Sequence, residues 1–161
     1  MTPETKMELF YWLVEDVLAG CSRPGGPTGR AVDADLAALR ERGIGALLTL
    51  TETSLPWESL ERQEIVNLHL PVDDFFPPTE RQLLQALAFI DAQRAQGKAV
   101  AVHCAAGMGR TGTVLAAWLI RDGVEPGEAI ADVRSVCPGA IGAEIQVAAV
   151  HRFAADRGWL V

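Results

Sequence analysis

Cys104 and Arg110 stand six positions apart in the run His103-Cys104-Ala105-Ala106-Gly107-Met108-Gly109-Arg110-Thr111-Gly112, with only small or apolar residues between them. An apolar stretch from Ala99 to Val102 leads in, and a helical pattern from Thr113 to Ile120 leads out. Strand, glycine-rich loop and helix N-terminus together form a layout that holds an anion. Gly107 and Gly109 let the backbone turn its N–H groups inward, and the helix starting near Arg110 adds its positive end. The Arg110 guanidinium can clamp two phosphate oxygens with its planar fork. Cys104, at the first position of this loop, becomes a nucleophile on the floor of an anion site, and the same donors favour its thiolate form. Attack on a phosphate monoester gives a phosphocysteine. The Thr111 hydroxyl can donate to the sulfur and help it leave afterwards.

The leaving alkoxide or phenoxide then needs a proton, and a carboxylic acid on a separate loop is a suitable donor. Asp73 and Asp74, in the stiff segment that runs on through Phe75, Phe76, Pro77 and Pro78, are the candidates. Nothing else is required beyond positioning and charge stabilisation. No metal is expected: His69, His103 and His151 lack metal-ligand spacing. Cys21 and Cys137 read as small buried apolar side chains. Glu52 either braces Arg110 or faces solvent.

The elements that must position these groups follow from periodicity and punctuation. Phe10 to Val14 reads as a short strand, and Ser22 to Gly29 as a loop rich in glycine and proline. Asp33 is placed to cap a helix that carries Leu36 and Leu39 and ends near Gly43. Ile44 to Leu50 and Ile65 to Leu70 read as strands. Thr79 with Gln82 three residues on is a capping box, opening a helix with Leu83, Leu84, Leu87 and Ile90 on one face and Gly97 at its end. Ala99 to His103 is apolar on both faces, hence a central strand. The helix from about Arg110 to Arg121 is apolar nearly all round, hence buried. Two more helices follow, roughly Pro126 to Val136 and Ala143 to Arg157. Strands alternating with helices predict a layered α/β protein.

With 161 residues, the chain is expected to be a single domain (1–161, core about 10–158) that buries a core without disulfides. Acidic residues interrupt the N-terminus where a signal sequence would be apolar, and no apolar run is long enough to span a bilayer. Three widely spaced cysteines without a C-x-x-C pair fit reduced thiols and a cytoplasmic location. A net charge of −7 disfavours nucleic acid and anionic membranes as partners. The expected species is a monomer.

His103-Cys104-x5-Arg110-Thr111-Gly112 closely resembles the H-C-x5-R-[ST] signature of the cysteine-dependent protein tyrosine phosphatases. Asp74-Phe75-Phe76-Pro77-Pro78 resembles the acid loop of their small atypical dual-specificity members, and so does Leu50-Thr51-Glu52 after the second apolar strand. Pro138-Gly139-Ala140-Ile141 followed by Gln146 is similar to their C-terminal segment. The resemblance covers about 150 residues. It implies a three-layer phosphatase fold, with a central mixed sheet of four to five strands flanked by helices. It also implies Cys104 as nucleophile, Arg110 as phosphate binder with the loop Ala105, Ala106, Gly107, Met108 and Gly109, and Asp74 as general acid and then base. His103 would orient the loop and Gln146 would help place the attacking water. No cofactor is implied. The substrate implied is a phosphoprotein or phosphopeptide bearing phosphotyrosine, with phosphoserine or phosphothreonine as further options. The alternatives are the same chemistry on a non-protein ester, such as a phosphoinositide or an RNA 5′-phosphate, and a phosphate-binding pseudophosphatase. Ala105 and Met108 stand where polyanion-specific relatives carry lysine, which disfavours the first of these.

Residues 107–112 also form a G-x-G-x-x-G, the dinucleotide fingerprint. That reading needs further βαβ structure after the motif, and no strong strand candidate follows it.

Overall fold

The computed structural model describes residues 7–157. Strand β1 (Phe10–Val14) turns into β2 (Leu18–Cys21), and the glycine-rich loop leads to α1 (Val32–Glu41) and β3 (Ile44–Thr49). Helix α2 (Trp57–Arg62) precedes β4 (Val66–His69), and α3 (Glu80–Ala95) precedes β5 (Ala99–His103). Helices α4 (Gly109–Arg121), α5 (Pro126–Val136) and α6 (Glu144–Arg157) complete the described chain.

The five strands form one mixed sheet in the order β1-β2-β5-β3-β4, antiparallel only between β1 and β2. Strand β5, buried along its whole length, lies at the centre, as its two-sided apolar sequence predicts. One face is covered by α1 and α2 over Ala19, Leu36, Leu39, Leu47 and Ala101. The other carries α3 to α6 over Val100, Val102, Leu115, Ile120 and Phe153. Helix α4 is enclosed nearly all round, which is why its sequence lacks a polar face. Burying Leu115 and Ile120 completely contributes ~1.5–3 kcal/mol each. Only helices follow the glycine loop among the described residues, so the dinucleotide reading has no second βαβ unit to stand on.

The capping box forms as expected: Thr79 Oγ1 accepts from the Gln82 amide at 3.1 Å, and the Gln82 side chain accepts from the Thr79 amide at 3.0 Å. The start of α1 differs. Ala31, in a left-handed conformation with φ 61°, precedes a helix that begins at Val32, and Asp33 lies inside the first turn. Its carboxylate accepts from Arg62 at 2.8 Å, while Asp35 reaches back to the Gly25 amide at 2.6 Å. Closing the glycine loop onto the helix start takes precedence over a side-chain cap.

The carboxyl ends of β2, β5, β3 and β4 share one edge of the sheet. Cys21, His103, Thr49 and His69 stand in register across it. Beyond that row the four chains leave as loops, still laced together: Arg23 N donates to Ala105 O (3.0 Å), Leu50 N to His103 O (3.0 Å) and Val72 N to Leu50 O (3.1 Å). The loops containing Arg23, Glu52, Asp74 and Cys104 therefore emerge side by side, which is where open α/β sheets place their ligands.

Candidate active site

Cys104 directly follows β5 and lies only 2% exposed at the wall of a cavity of about 420 Å³. Ala105, Ala106, Met108, Gly109 and Arg110 line the same cavity, Asp74 and Phe75 approach from the β4–α3 loop, and Gln146 comes from α6. Among the described residues, no protein acceptor takes a hydrogen bond from the backbone amides of 105–110. These unpaired donors, at the start of α4, are what an anion needs. Gly107 has φ +82°, and a Cβ there would meet the Cys21 carbonyl at 2.6 Å, so only glycine fits the bend.

Arg110 is 2% exposed, on the first turn of α4. Its Nη1 donates to Glu52 Oε1 at 2.6 Å and to the Val72 carbonyl at 2.8 Å, and Nη2 pairs with Asp74 Oδ1 at 3.1 Å. Nε is buried with no protein partner. Glu52 thus braces the arginine while its side chain stays 54% exposed, so the two options its sequence context left open both hold. Its carboxyl is held below the usual range by hydrogen bonds from its own backbone and from Arg110. Of the paired aspartates, Asp74 reaches the cavity, while the Asp73 carbonyl closes the loop by accepting from Phe76 N at 3.1 Å.

His103 is fully buried beneath the loop. Its Nδ1 is 3.0 Å from the Cys104 carbonyl, and its Nε2 is 2.9 Å from Thr49 Oγ1. A carbonyl only accepts, so Nδ1 carries the proton and the Thr49 hydroxyl donates to Nε2. Asn67 Nδ2 completes the chain by donating to Thr49 Oγ1 at 2.8 Å. Burial pushes the imidazole down to about 3, the Cys104 carbonyl pulls the other way, and Arg23 and Arg110 lower it further. The ring is therefore neutral at physiological pH, and it holds the backbone at Cys104. Thr49 and Asn67 were not evident as site residues in the sequence; their signal is the strand register, visible only once β3 lies between β5 and β4.

Thr111 is completely buried, and its hydroxyl has no protein partner, so the expected hydrogen bond to the Cys104 sulfur is not made. Gln146, 2% exposed, packs its amide over Gly109, where a Cβ would meet Nε2 at 2.7 Å, and its Oε1 accepts from Ala143 N at 3.3 Å. The α5–α6 connection is fastened to the loop by Ile141 N donating to Met108 O at 3.2 Å, and Arg134 holds that connection through the Ala140 and Ile141 carbonyls.

Arg23, which carries no local sequence signal of a site role, holds the segment that carries Glu52. Its Nη1 donates to Thr51 Oγ1 (2.6 Å) and Thr53 O (3.1 Å), and its Nη2 to Ser54 O (3.1 Å). Among the described residues, no group of three or more His, Cys, Asp or Glu side chains is arranged to hold a metal ion. No described helix is long and apolar enough to cross a membrane.

Comparison with known proteins gives the same picture. The Tc-R-P family model, a DSP-PTPase phosphatase of polymorphic toxin systems, matches residues 19–124. Over 120 residues, the chain is 30% identical to protein tyrosine phosphatase type IVA 3 of Homo sapiens, covering 73% of this chain and 69% of that protein. It is 32% identical over 124 residues to the phosphatidylglycerophosphate phosphatase PTPMT1 of Arabidopsis thaliana, covering 74% of this chain and 37% of that protein. The crystal structure of Tk-PTP in its active form is similar with a TM-score of 0.79 at 28% identity, covering 96% of this chain and 99% of that one.

Proposed function

From the premise that the chain belongs to the DSP-PTPase family of cysteine-dependent protein tyrosine phosphatases, we propose that it hydrolyses phosphotyrosine in proteins, and phosphoserine or phosphothreonine more slowly, through a phosphocysteine. The observation that carries this is the convergence of Cys104, Arg110 and Asp74 on one cavity whose backbone amides are unpaired.

In this mechanism the phosphate enters above Cys104 and takes its hydrogen bonds from the amides of 105–110. Arg110 offers Nε, free in this structure, and Nη2, which the phosphate takes over from Asp74. Glu52 and the Val72 carbonyl keep Nη1 fixed meanwhile, so the guanidinium is oriented before substrate arrives. The Cys104 sulfur attacks phosphorus as the P–O bond to the leaving group breaks. Asp74, released from Arg110 and protonated, gives its proton to the departing oxygen. Asp74 then takes a proton from water that Gln146 helps to place. That water attacks phosphorus, the S–P bond breaks, and inorganic phosphate leaves.

Phe75, Met108 and Ala143 give the cavity apolar walls that match the faces of a phenyl ring, supporting an aryl phosphate. Arg110 is the one cationic side chain among the cavity-lining residues, which disfavours substrates with several phosphates. Likeness to a phosphatidylglycerophosphate phosphatase keeps a lipid phosphate as the second reading. Three buried free thiols fit a reducing, cytoplasmic compartment. The working unit is taken as a monomer, and the net charge of −7 disfavours nucleic-acid partners.

Matched phosphotyrosine, phosphoserine and phosphothreonine peptides, assayed beside phosphatidylglycerophosphate and phosphoinositide vesicles, test this reading. The phosphotyrosine peptide is expected to give the highest kcat/KM. A lipid phosphate turned over faster than every peptide would replace it with the second reading.

A further inference from the structure

Tyr11 lies on β1, two strands from the loop, yet its hydroxyl donates to the Gly107 carbonyl at 2.7 Å across 96 residues of sequence. The register explains the reach. Tyr11 pairs with Gly20, which pairs in turn with Val102, so the three form a row across β1, β2 and β5. Gly20 has no side chain, and the tyrosine ring lies directly over it. A Cβ at position 20 would meet Tyr11 Cζ and Oη at 2.4 Å. The ring passes over β2 and ends under the phosphate loop, 7% exposed. The Cys137 thiol flanks the hydroxyl there. A buried phenol that finds a partner is unremarkable; this partner is the apex of the anion site.

The peptide joining Gly107 to Met108 is planar and trans, so its C=O and N–H point in opposite directions. A carbonyl held from the protein interior leaves the Met108 N–H facing the open side, where Met108 lines the cavity and its amide has no protein acceptor. The Gly107 φ of +82° makes this the point of the loop where the backbone is freest to turn. A flip of that one peptide would aim a carbonyl oxygen at the incoming phosphate and remove a donor.

We propose that Tyr11 is a positioning residue of the phosphate site: its hydroxyl locks the Gly107–Met108 peptide so that the Met108 amide points at the bound phosphate, and Gly20 is the gap that admits its ring. This rests on the phosphatase reading above. It adds a constraint from the edge strand that neither the signature run nor the acid loop contains.

The test is Tyr11→Phe, which keeps the ring and removes the one donor. Orthovanadate inhibition, inorganic phosphate binding by calorimetry and steady-state turnover of p-nitrophenyl phosphate are measured against wild type. Loss of one buried hydrogen bond is expected to weaken vanadate and phosphate binding and to lower kcat/KM by about three- to tenfold. The Met108 amide resonance should lose the shift it shows in wild type when vanadate is added. Gly20→Ala, which displaces the ring, should give the same defect, and the double variant should be no worse than the more impaired single one. Phe10→Leu, on the same strand but facing the opposite layer, should lower Tm and leave phosphate affinity unchanged. A folded Tyr11→Phe protein with wild-type vanadate affinity, phosphate affinity and kcat/KM would overturn the proposal, whatever its Tm. Wild-type protein that neither binds phosphate nor turns over any phosphate ester would instead overturn the phosphatase reading, and this proposal with it.

Discussion

The two walls of the cavity are built in opposite ways. The phosphate loop is tied to the protein at nearly every residue. His103 holds the Cys104 carbonyl, Arg23 N holds Ala105, Tyr11 holds Gly107, and Met108 O accepts from both Gly112 and Ile141. The Asp74 loop opposite is tied mainly at its base, where Gln82 Nε2 donates to Pro71 O at 2.8 Å. Its tip is outside the core: Phe75 is 71% exposed and Phe76 56%. Phe75 also adopts φ +69°, a region that costs a non-glycine residue energy. Across the cavity, Asp74 meets Arg110 through one ion pair at 3.1 Å. The contrast matches the division of labour proposed above: a wall held in place by the fold to bind phosphate, and a wall whose Asp74 has one ion pair to exchange when it donates its proton.

The contrast breaks most severely at the rigid wall. Cys104→Ser should lower turnover roughly 10⁴-fold or more while vanadate or substrate binding largely survives. A well-folded variant with substantial turnover would show that the sulfur is not the nucleophile. At the Asp74 wall, Asp74→Ala should cost ~10²–10⁴-fold on phenyl phosphate, whose leaving group needs a proton. It should cost far less on p-nitrophenyl phosphate, whose leaving group is a weak base. Equal losses on both would remove Asp74 as the acid.

Between the walls, Glu52→Gln keeps the shape but loosens the Arg110 brace. Misplacing a phosphate binder costs up to about 10²-fold, and the loss should appear in KM for substrate and in vanadate affinity before it appears in stability.

The last expected effect is on stability rather than turnover, and it comes from His103. Its folded state stays neutral until about pH 3, whereas an unfolded histidine takes up a proton near 6.5. The unfolded chain therefore binds more protons between those values, so the contribution of His103 is complete above about pH 6.5 and declines as pH falls toward 3. Tm should fall across that window in wild type and fall less steeply in His103→Gln. Parallel Tm profiles would contradict the buried neutral assignment.

Much of this site was legible because its signals are local. The β5–loop–α4 unit announces itself by an apolar run, two glycines and a buried helix. The capping box at Thr79 and Gln82 is a four-residue pattern that the structure reproduces. Strand β2, only four residues long, and α2, only six, are too short for periodicity to resolve. Tyr11, Arg23, Thr49 and Asn67 escaped for a different reason. Each acts across strands, at sequence separations of 96 for Tyr11 and Gly107, 54 for Thr49 and His103, and 28 for Arg23 and Thr51. Only insertion of β5 between β2 and β3 brings them to the loop. Asp33 failed as a cap because a left-handed Ala31 and the Asp35–Gly25 contact settle the start of α1 first.

The phosphocysteine is the point on which the account stands. Rapid acid quench of the enzyme during turnover of a phosphotyrosine peptide, followed by mass spectrometry of its proteolytic fragments, reads it directly. The account predicts a phosphate adduct on the fragment containing Cys104 that forms within the first turnover and accumulates further in Gln146→Ala, where its hydrolysis is slowed. Full turnover with no adduct on Cys104, or with the adduct on another residue, would contradict it.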